Sequence, residues 1–405
     1  MTRCLVCESP TDSFMDFGRM PISNRFLSAD EFDDEFFYDL SVAFCPNCYM
    51  VQLGERVPPE MMFNEDYAYF SSISTVMAEH FEALADEIAG IVTERPSPLV
   101  VELGCNDGIM LQHIARREIR HVGIEPSANV AVIAKEKGIT VFEKFFGVDS
   151  AREIESSFGQ ADVICGANVM CHIEDINSVM SGVAMLLRDD GVLIFEDPYL
   201  LDIIRQTSFD QIYDEHVFYF SALSVSELAR RHGMQLVDVQ AQAVHGGSMR
   251  YYIRQGTDND VSSRLGESMV AERACGLHRS GDYSRFRDDV DRVSADLRRA
   301  LEEICARGET VVGYGATSKS TTLQNYAGIG PDLITYISDT TPTKIGRFTP
   351  GTHIPIRSHA RFRADSPPYT LLLAWNHRRE ILEKEEEYRQ QGGKFITFFP
   401  ELKIE

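Results

Sequence analysis

The chain of 405 residues is 44% hydrophobic and 25% charged, the composition of a soluble globular protein of two or three domains. No apolar run approaches the roughly 20 residues that cross a bilayer, and 62 Asp and Glu against 39 Lys and Arg give a net charge of −23, which repels nucleic acid and anionic lipid. Nucleic-acid and membrane partners are therefore excluded, and with no apolar secretory core after Met1-Thr2-Arg3 a cytoplasmic location is expected.

Three composition zones follow one another, and they predict domains at 1–75, 76–255 and 256–405. The first is acidic. Residues 1–100 hold 18 acidic and 5 basic side chains, so this quarter is expected to be a separate unit. It also holds four of the nine cysteines, as Cys4-x2-Cys7 and Cys45-x2-Cys48. Two such knuckles supply the four soft ligands that tetrahedral Zn2+ prefers, at about 2.3 Å. The intervening stretch, longer than in a simple zinc ribbon, calls for an inserted hairpin. A closed four-thiolate shell leaves no place for a reactive water, so the zinc is expected to be structural, a staple for a small acidic segment. A redox dithiol fits two pairs less well. Cys105, Cys165, Cys171, Cys275 and Cys305 read as small core residues.

Between 76 and 255, short apolar runs at 98–103, 121–124, 161–165 and 191–195 alternate with amphipathic stretches such as 127–137, a βαβ pattern that predicts a parallel sheet. The first run enters Glu102-Leu-Gly104-Cys-Asn106-Asp107-Gly108, where two glycines let a turn approach a ligand closely before the next helix. The third glycine of the dinucleotide fingerprint is missing. The turn resembles motif I of class I methyltransferases, whose cofactor is S-adenosylmethionine. Glu125, at the end of the next run, is placed to accept two ribose hydroxyls. Two carboxylates without a basic residue suit a sulfonium ligand. Asn168 is expected against its methionine part, and Phe145 or Phe146 over its adenine, with core packing claiming at least one of the two.

Beyond 256, a polar, Arg-rich helical stretch (272–307) leads into strand, turn and helix at 310–326, with further strands at 333–337 and 369–374. The turn Gly313-Tyr-Gly315-Ala-Thr317-Ser318-Lys319, with Asp339 in the next strand, taken alone reads as a dinucleotide site, and an NAD(P)-dependent ketoreductase is the alternative it raises. A zinc-ribbon interaction module with degenerate α/β domains is a second alternative, which the acidic character of the first zone opposes. An anionic ligand entering a chain of this charge needs local cations, and Arg250, Lys319, Lys344 and Arg347 are the candidates. His245, in His245-Gly-Gly-Ser-Met-Arg250, is expected at the substrate, and Trp375-Asn376-His377 falls at a strand end where ligands bind.

The segment Tyr213-Asp214-Glu215-His216-Val-Phe-Tyr219-Phe220-Ser221 completes the pattern. Together with the cysteine knuckles, Asp66-Tyr67-Ala-Tyr69-Phe70-Ser71-Ser72, His245-Gly-Gly-Ser-Met-Arg250 and the second glycine turn, it resembles the nucleotide-sugar C-methyltransferases of branched deoxysugar biosynthesis, in order and from Cys4 to about Pro400. The resemblance implies an α/β fold with a small zinc-binding module, a class I Rossmann-like methyltransferase domain and a Rossmann-like C-terminal domain that binds the sugar nucleotide. It implies C-methylation, usually at C3, of a nucleoside-diphosphate 4-keto-6-deoxy sugar by a monomer or homodimer. By the same resemblance His216 is the base, with Tyr213 and Glu215 beside it and Glu215 orienting the imidazole, while Tyr67 and His172 position the sugar or hold the enolate. Glu102, Gly104, Asn106, Gly108, Glu125 and Asn168 would hold the cofactor, and His245, Arg250, Lys319 and Asn376 the substrate. Asp214 stands where many relatives have His, a departure that bears on local hydrogen bonding.

Overall fold

The structure is a computed structural model that describes residues 2–62 and 75–405. Three sheets follow one another along the chain. The first begins as an antiparallel meander of β1 (Asp12–Pro21), β2 (Phe37–Phe44) and β3 (Val51–Leu53). In β2, Tyr38, Leu40, Val42 and Phe44 alternate inward, the two-residue period of a strand with one wet face.

The central sheet contains β4 (Leu99–Leu103), β5 (Arg120–Ile124), β6 (Val141–Phe142), β7 (Ala161–Ala167) and β8 (Leu187–Pro198). A two-residue strand, β9 (Phe218–Tyr219), then leaves this domain and pairs with β3, supplying the fourth strand of the first sheet. The acidic segment is thus not the separate unit its composition suggests. The central sheet is completed by the hairpin β10 (Met234–Gln242) and β11 (Ser248–Gln255). Its order is β10-β11-β8-β7-β4-β5-β6, with β4 to β8 parallel and β11 antiparallel to β8. The order reverses at β4 and β7, so a crevice opens beyond their carboxyl ends, where α/β sheets bind ligands. β4 and β7 are buried on both faces, and for that reason read in sequence as continuous apolar runs. β8 runs three residues past its expected end because β11 pairs along it, Ser248 facing Pro198 and Arg250 facing Glu196.

The expected helix at 272–307 is two helices, Ser263–Ala274 and Tyr283–Ala306. Gly276, at φ +85°, ends the first in a conformation that costs glycine little. The third sheet consists of β12 (Val311–Tyr314), β13 (Ile337–Asp339), β14 (Ile356–Ser358), β15 (Tyr369–Leu372), β16 (Lys394–Thr397) and β17 (Lys403–Ile404), in the order β14-β13-β12-β15-β16-β17 and parallel except for β17. The strand expected at 333–337 begins only at Ile337, since Leu333 and Ile334 turn back onto the Gly330 carbonyl. Among the described residues, no helix is long and apolar enough to cross a membrane.

The three sheets meet around one place. Leu27 of the first zone bridges Phe348 of the third, Thr321 Oγ1 donates to the Ser23 carbonyl (3.0 Å), and Thr322 Oγ1 donates to the Ile212 carbonyl (2.7 Å). Ser23 N–H donates in turn to Asp214 (3.0 Å), as does its hydroxyl. One segment, 212–216, is thus held from both sides.

Candidate active site and metal centre

The metal centre is built by two tight turns. Glu8 and Tyr49, each at positive φ, return their N–H groups to the carbonyls of Cys4 and Cys45, curling each knuckle around its thiols. Cys4 and Cys48 Sγ stand 3.4 Å apart, as do Cys7 and Cys45 Sγ, and the four sulfurs form one cluster. Four thiols at near-tetrahedral separations are the donor set of structural Zn2+, and they leave no coordination position for substrate.

A cavity of about 720 Å³ runs from the carboxyl ends of β4, β5 and β7 to the start of the helix Ser318–Tyr326. Gly104 (φ +63°) and Asn106 (φ +48°) bend the chain at the end of β4, and a Cβ on Gly104 would lie 2.7 Å from Val169. Glu125, at the end of β5, accepts from Asn106 N–H (3.0 Å) and Ser127 N–H (2.9 Å), which aims its carboxylate at the cavity beside Gly104. Asn168, at φ +53° past β7, donates its N–H to the Glu196 carbonyl (2.7 Å) and lines the same end. Phe146 is buried in the core, whereas Phe145 is 56% exposed at the mouth. This end offers carboxylate, amide and aromatic groups and fits the adenosyl and methionine parts of S-adenosylmethionine.

Two expected cofactor residues lie behind this wall. Gly108 packs on Ile139 and Ala134, where a Cβ would have no room. Glu102 is buried beneath the loop, its carboxyl pushed well up by burial and then by the charges of Asp107 and Glu125. Neither lines the cavity.

The opposite end is cationic and rich in histidine. His216 is fully buried in the wall. Its Nδ1–H donates to the Gln211 carbonyl (2.9 Å), so Nε2 carries the lone pair and accepts from the Tyr213 hydroxyl (3.0 Å). Burial, then His172, holds its pKa well below the ordinary value, so the ring is neutral and able to take a proton. His172 lies edge to face with it, ring centres 5.1 Å apart, and burial lowers its pKa to about 4. Glu215 faces the cavity near Asn24 and Lys344, pushed up to about 8 by burial and then by the Asp214 charge. The imidazole is therefore oriented by a backbone carbonyl and a tyrosine, not by Glu215 as expected.

Lys319 and Lys344 also line this end and make their hydrogen bonds to the carbonyls of His245 (3.2 Å) and Ala316 (2.8 Å). Burial lowers the pKa of both. His245, Asn376 and His377 complete the wall, and Trp375 is fixed beside them by an N–H donated to Asp210 (2.6 Å). Arg250 is elsewhere. Its guanidinium pairs with Glu196 (3.0 Å) and Glu87 (2.6 Å) in a buried network that Glu196 shares with His80 (2.7 Å), so the expected contact with substrate is not made. Arg347 donates to the Phe26 carbonyl (2.9 Å) and braces the first zone. Tyr67 lies outside the described residues.

At the second glycine turn a Cβ on Gly315 would lie 2.6 Å from Ala374, and Asp339 accepts from Ala316 N–H and Thr341 N–H, both at 2.7 Å, as Glu125 accepts from two N–H groups at the first turn. What the turn does present to the cavity is the first residues of the helix Ser318–Tyr326, capped by Thr317. Sequence reading missed Asn24, which only the folding of the first zone brings here, and Gln211, whose contribution is a backbone carbonyl and leaves no side-chain signature.

Comparison with known proteins agrees with this geometry. Three family descriptions match in succession: a putative zinc binding domain at residues 4–63, a methyltransferase domain at 77–239 and a C-methyltransferase C-terminal domain at 243–400. The C-methyltransferase NovU of Streptomyces niveus is 34% identical over 99% of this chain and 96% of its own length. A ubiquinone biosynthesis O-methyltransferase of Cupriavidus pinatubonensis is 23% identical over 46% of this chain and 78% of its own. Among solved structures, the magnesium protoporphyrin IX methyltransferase ChlM of Synechocystis PCC 6803 with bound SAH covers 45% of this chain and 88% of its own, at 14% identity and a TM-score of 0.35.

Proposed function

Since the chain belongs to the C-methyltransferases and is an S-adenosylmethionine-dependent enzyme with a zinc-binding module, we propose that its acceptor is a nucleoside-diphosphate 4-keto-6-deoxy sugar, methylated at C3. The observation that carries the reading is the neutral His216 imidazole in the cavity wall, its Nε2 accepting from the Tyr213 hydroxyl, which lines the same wall with Glu215 and two buried lysines.

The diphosphate is received at the start of the helix Ser318–Tyr326, where backbone N–H groups, Lys319 and Lys344 supply positive charge inside an acidic protein. Both lysines exchange weak bonds to carbonyls for charged ones to phosphate. This places the sugar between Tyr213, His172 and His216. A proton on the carbon next to a ketone is acidic because the charge left behind moves to oxygen, and His216 Nε2 removes it. Gln211 steadies the imidazolium through Nδ1. Glu215, still protonated near neutral pH, donates to the developing oxyanion, with His172 as a second donor. The Glu125 and Asn168 end holds S-adenosylmethionine, which supplies an electrophilic methyl group when bound.

Incubating the protein with S-adenosylmethionine and a panel of 4-keto nucleotide sugars tests this. A product heavier by one methylene, labelled at C3, is expected. Methylation confined to a hydroxyl oxygen, or no reaction with any member while S-adenosylmethionine binds, refutes the proposed acceptor.

A further inference from the structure

One cluster of donor atoms, two of its residues in the cavity wall and one buried behind it, is not explained by proton removal. The Sγ of Cys171 and one ring nitrogen each from His172 and His216 lie within 4.8 Å of one another. Cys171 follows β7 in a short helical turn, Met170–His172, that sets consecutive thiol and imidazole groups against the segment carrying His216. The thiol is buried and lies against Asp197, a carboxyl that is itself fully buried. His216 already has the arrangement of a metal-bound histidine, one ring N–H on a backbone carbonyl and the other nitrogen bearing a lone pair. Thiolate with two imidazoles selects zinc, cobalt or copper over magnesium or calcium. At bond lengths of about 2.0–2.3 Å the donors of a tetrahedral ion stand roughly 3.3–3.8 Å apart, so side-chain rotation bringing the present atoms closer by about 1 Å suffices.

We propose that Cys171, His172 and His216 form a second site for a thiophilic divalent cation, distinct from the four-cysteine centre, and that its occupation inhibits the enzyme reversibly. Binding releases the Cys171 thiol proton to solvent, forms one sulfur and two nitrogen bonds to the metal, and displaces the Tyr213 hydroxyl from His216 Nε2. It takes the lone pair that proton removal needs. The inhibition rests on the assignment of His216 as base, whereas the binding does not.

Titration of the zinc-loaded protein with Co2+ separates the two. The wild type should take up one further equivalent with a thiolate-to-cobalt charge-transfer band, while its original zinc stays bound by elemental analysis. Cys171→Ser and Cys171→Ala should lack that increment yet keep the melting profile and S-adenosylmethionine binding of the wild type. No further equivalent in the wild type, or the same band in both variants, overturns the site. In turnover assays with excess Zn2+, the wild type should lose at least about tenfold in rate and recover on mild chelation, with the Cys171 variants resistant. If the band appears but saturating metal leaves turnover unchanged, the inhibitory claim fails while the site stands. If no sugar is a substrate, the spectral result still decides the site.

Discussion

Replacement of Glu215 by glutamine gives the sharpest test of the acid side of the proposed chemistry. The side chain is 5% exposed, and burial with the neighbouring Asp214 charge raises its pKa to about 8. At pH 7 about nine-tenths of it is protonated and at pH 9 about one-tenth, so if the neutral acid donates to the enolate oxygen, kcat falls about tenfold across that interval. The amide of Glu215→Gln still donates but does not titrate, so its rate should lack the limb that the wild type shows near pH 8. The same shift has a sign in stability. A carboxyl whose pKa is raised on folding favours the fold while neutral. That contribution is whole below the ordinary value of 4.5 and is lost as pH rises through 8, at no more than about 1.4 kcal/mol per unit. The melting temperature of Glu215→Gln should therefore gain on the wild type steadily from pH 5 to pH 8. Initial rates by mass spectrometry and dye-monitored melting, both against pH, measure the two effects. An alkaline limb near pH 8 that survives in the variant refutes the role given to Glu215.

His216→Ala should bind S-adenosylmethionine normally by calorimetry, lose about 10²–10⁴-fold in turnover, and abolish exchange of the sugar C3 proton with deuterated water, whereas normal exchange removes it from the base role. Lys319→Ala and Lys344→Ala should each raise KM for the sugar nucleotide by roughly 10–100-fold, with KM for S-adenosylmethionine unchanged; equal effects on both constants speak against a phosphate subsite. Arg250→Ala leaves buried Glu196 with His80 as its remaining charged partner and should lower stability in urea unfolding, by less than the about 3–5 kcal/mol of a fully unpaired buried charge, with the residual native fraction keeping the wild-type KM for sugar. Stripping zinc with a strong chelator should lower the melting temperature and turnover together, since the first sheet braces the segment bearing His216; activity unaffected by zinc loss contradicts that coupling.

How much could be read from residues alone depended on how local the determinant was. The cysteine knuckles, the β4 turn with Glu125, and the buried parallel strands are short motifs whose spacing carries their geometry, and they stand where the sequence put them. Arg250 was misplaced because a cation in an acidic chain attracts an anionic partner in either reading. Only the antiparallel register of β11 on β8 brings Glu196 opposite it. Glu215 was cast as the imidazole's support by the family resemblance, but in this turn successive side chains diverge, and a main-chain carbonyl takes that place. The β10–β11 hairpin was not anticipated, and neither was β9, whose pairing as a two-residue strand with residues over 160 positions away leaves no periodic trace.

The loan of β9 to the first sheet has a consequence for inheritance. A gene segment encoding the zinc knuckles and β1 to β3 is not a detachable cassette, because its edge strand is encoded far downstream. A chimera that exchanged this segment between distant relatives would leave Val51 and Gln52 facing a foreign Phe218 and Tyr219, and Ser23 facing a foreign residue 214. Recombination at the apparent boundary would thus disturb the loop that carries His216 first. Divergence in this lineage is expected to proceed by paired point changes across that seam, with whole-segment shuffling selected against.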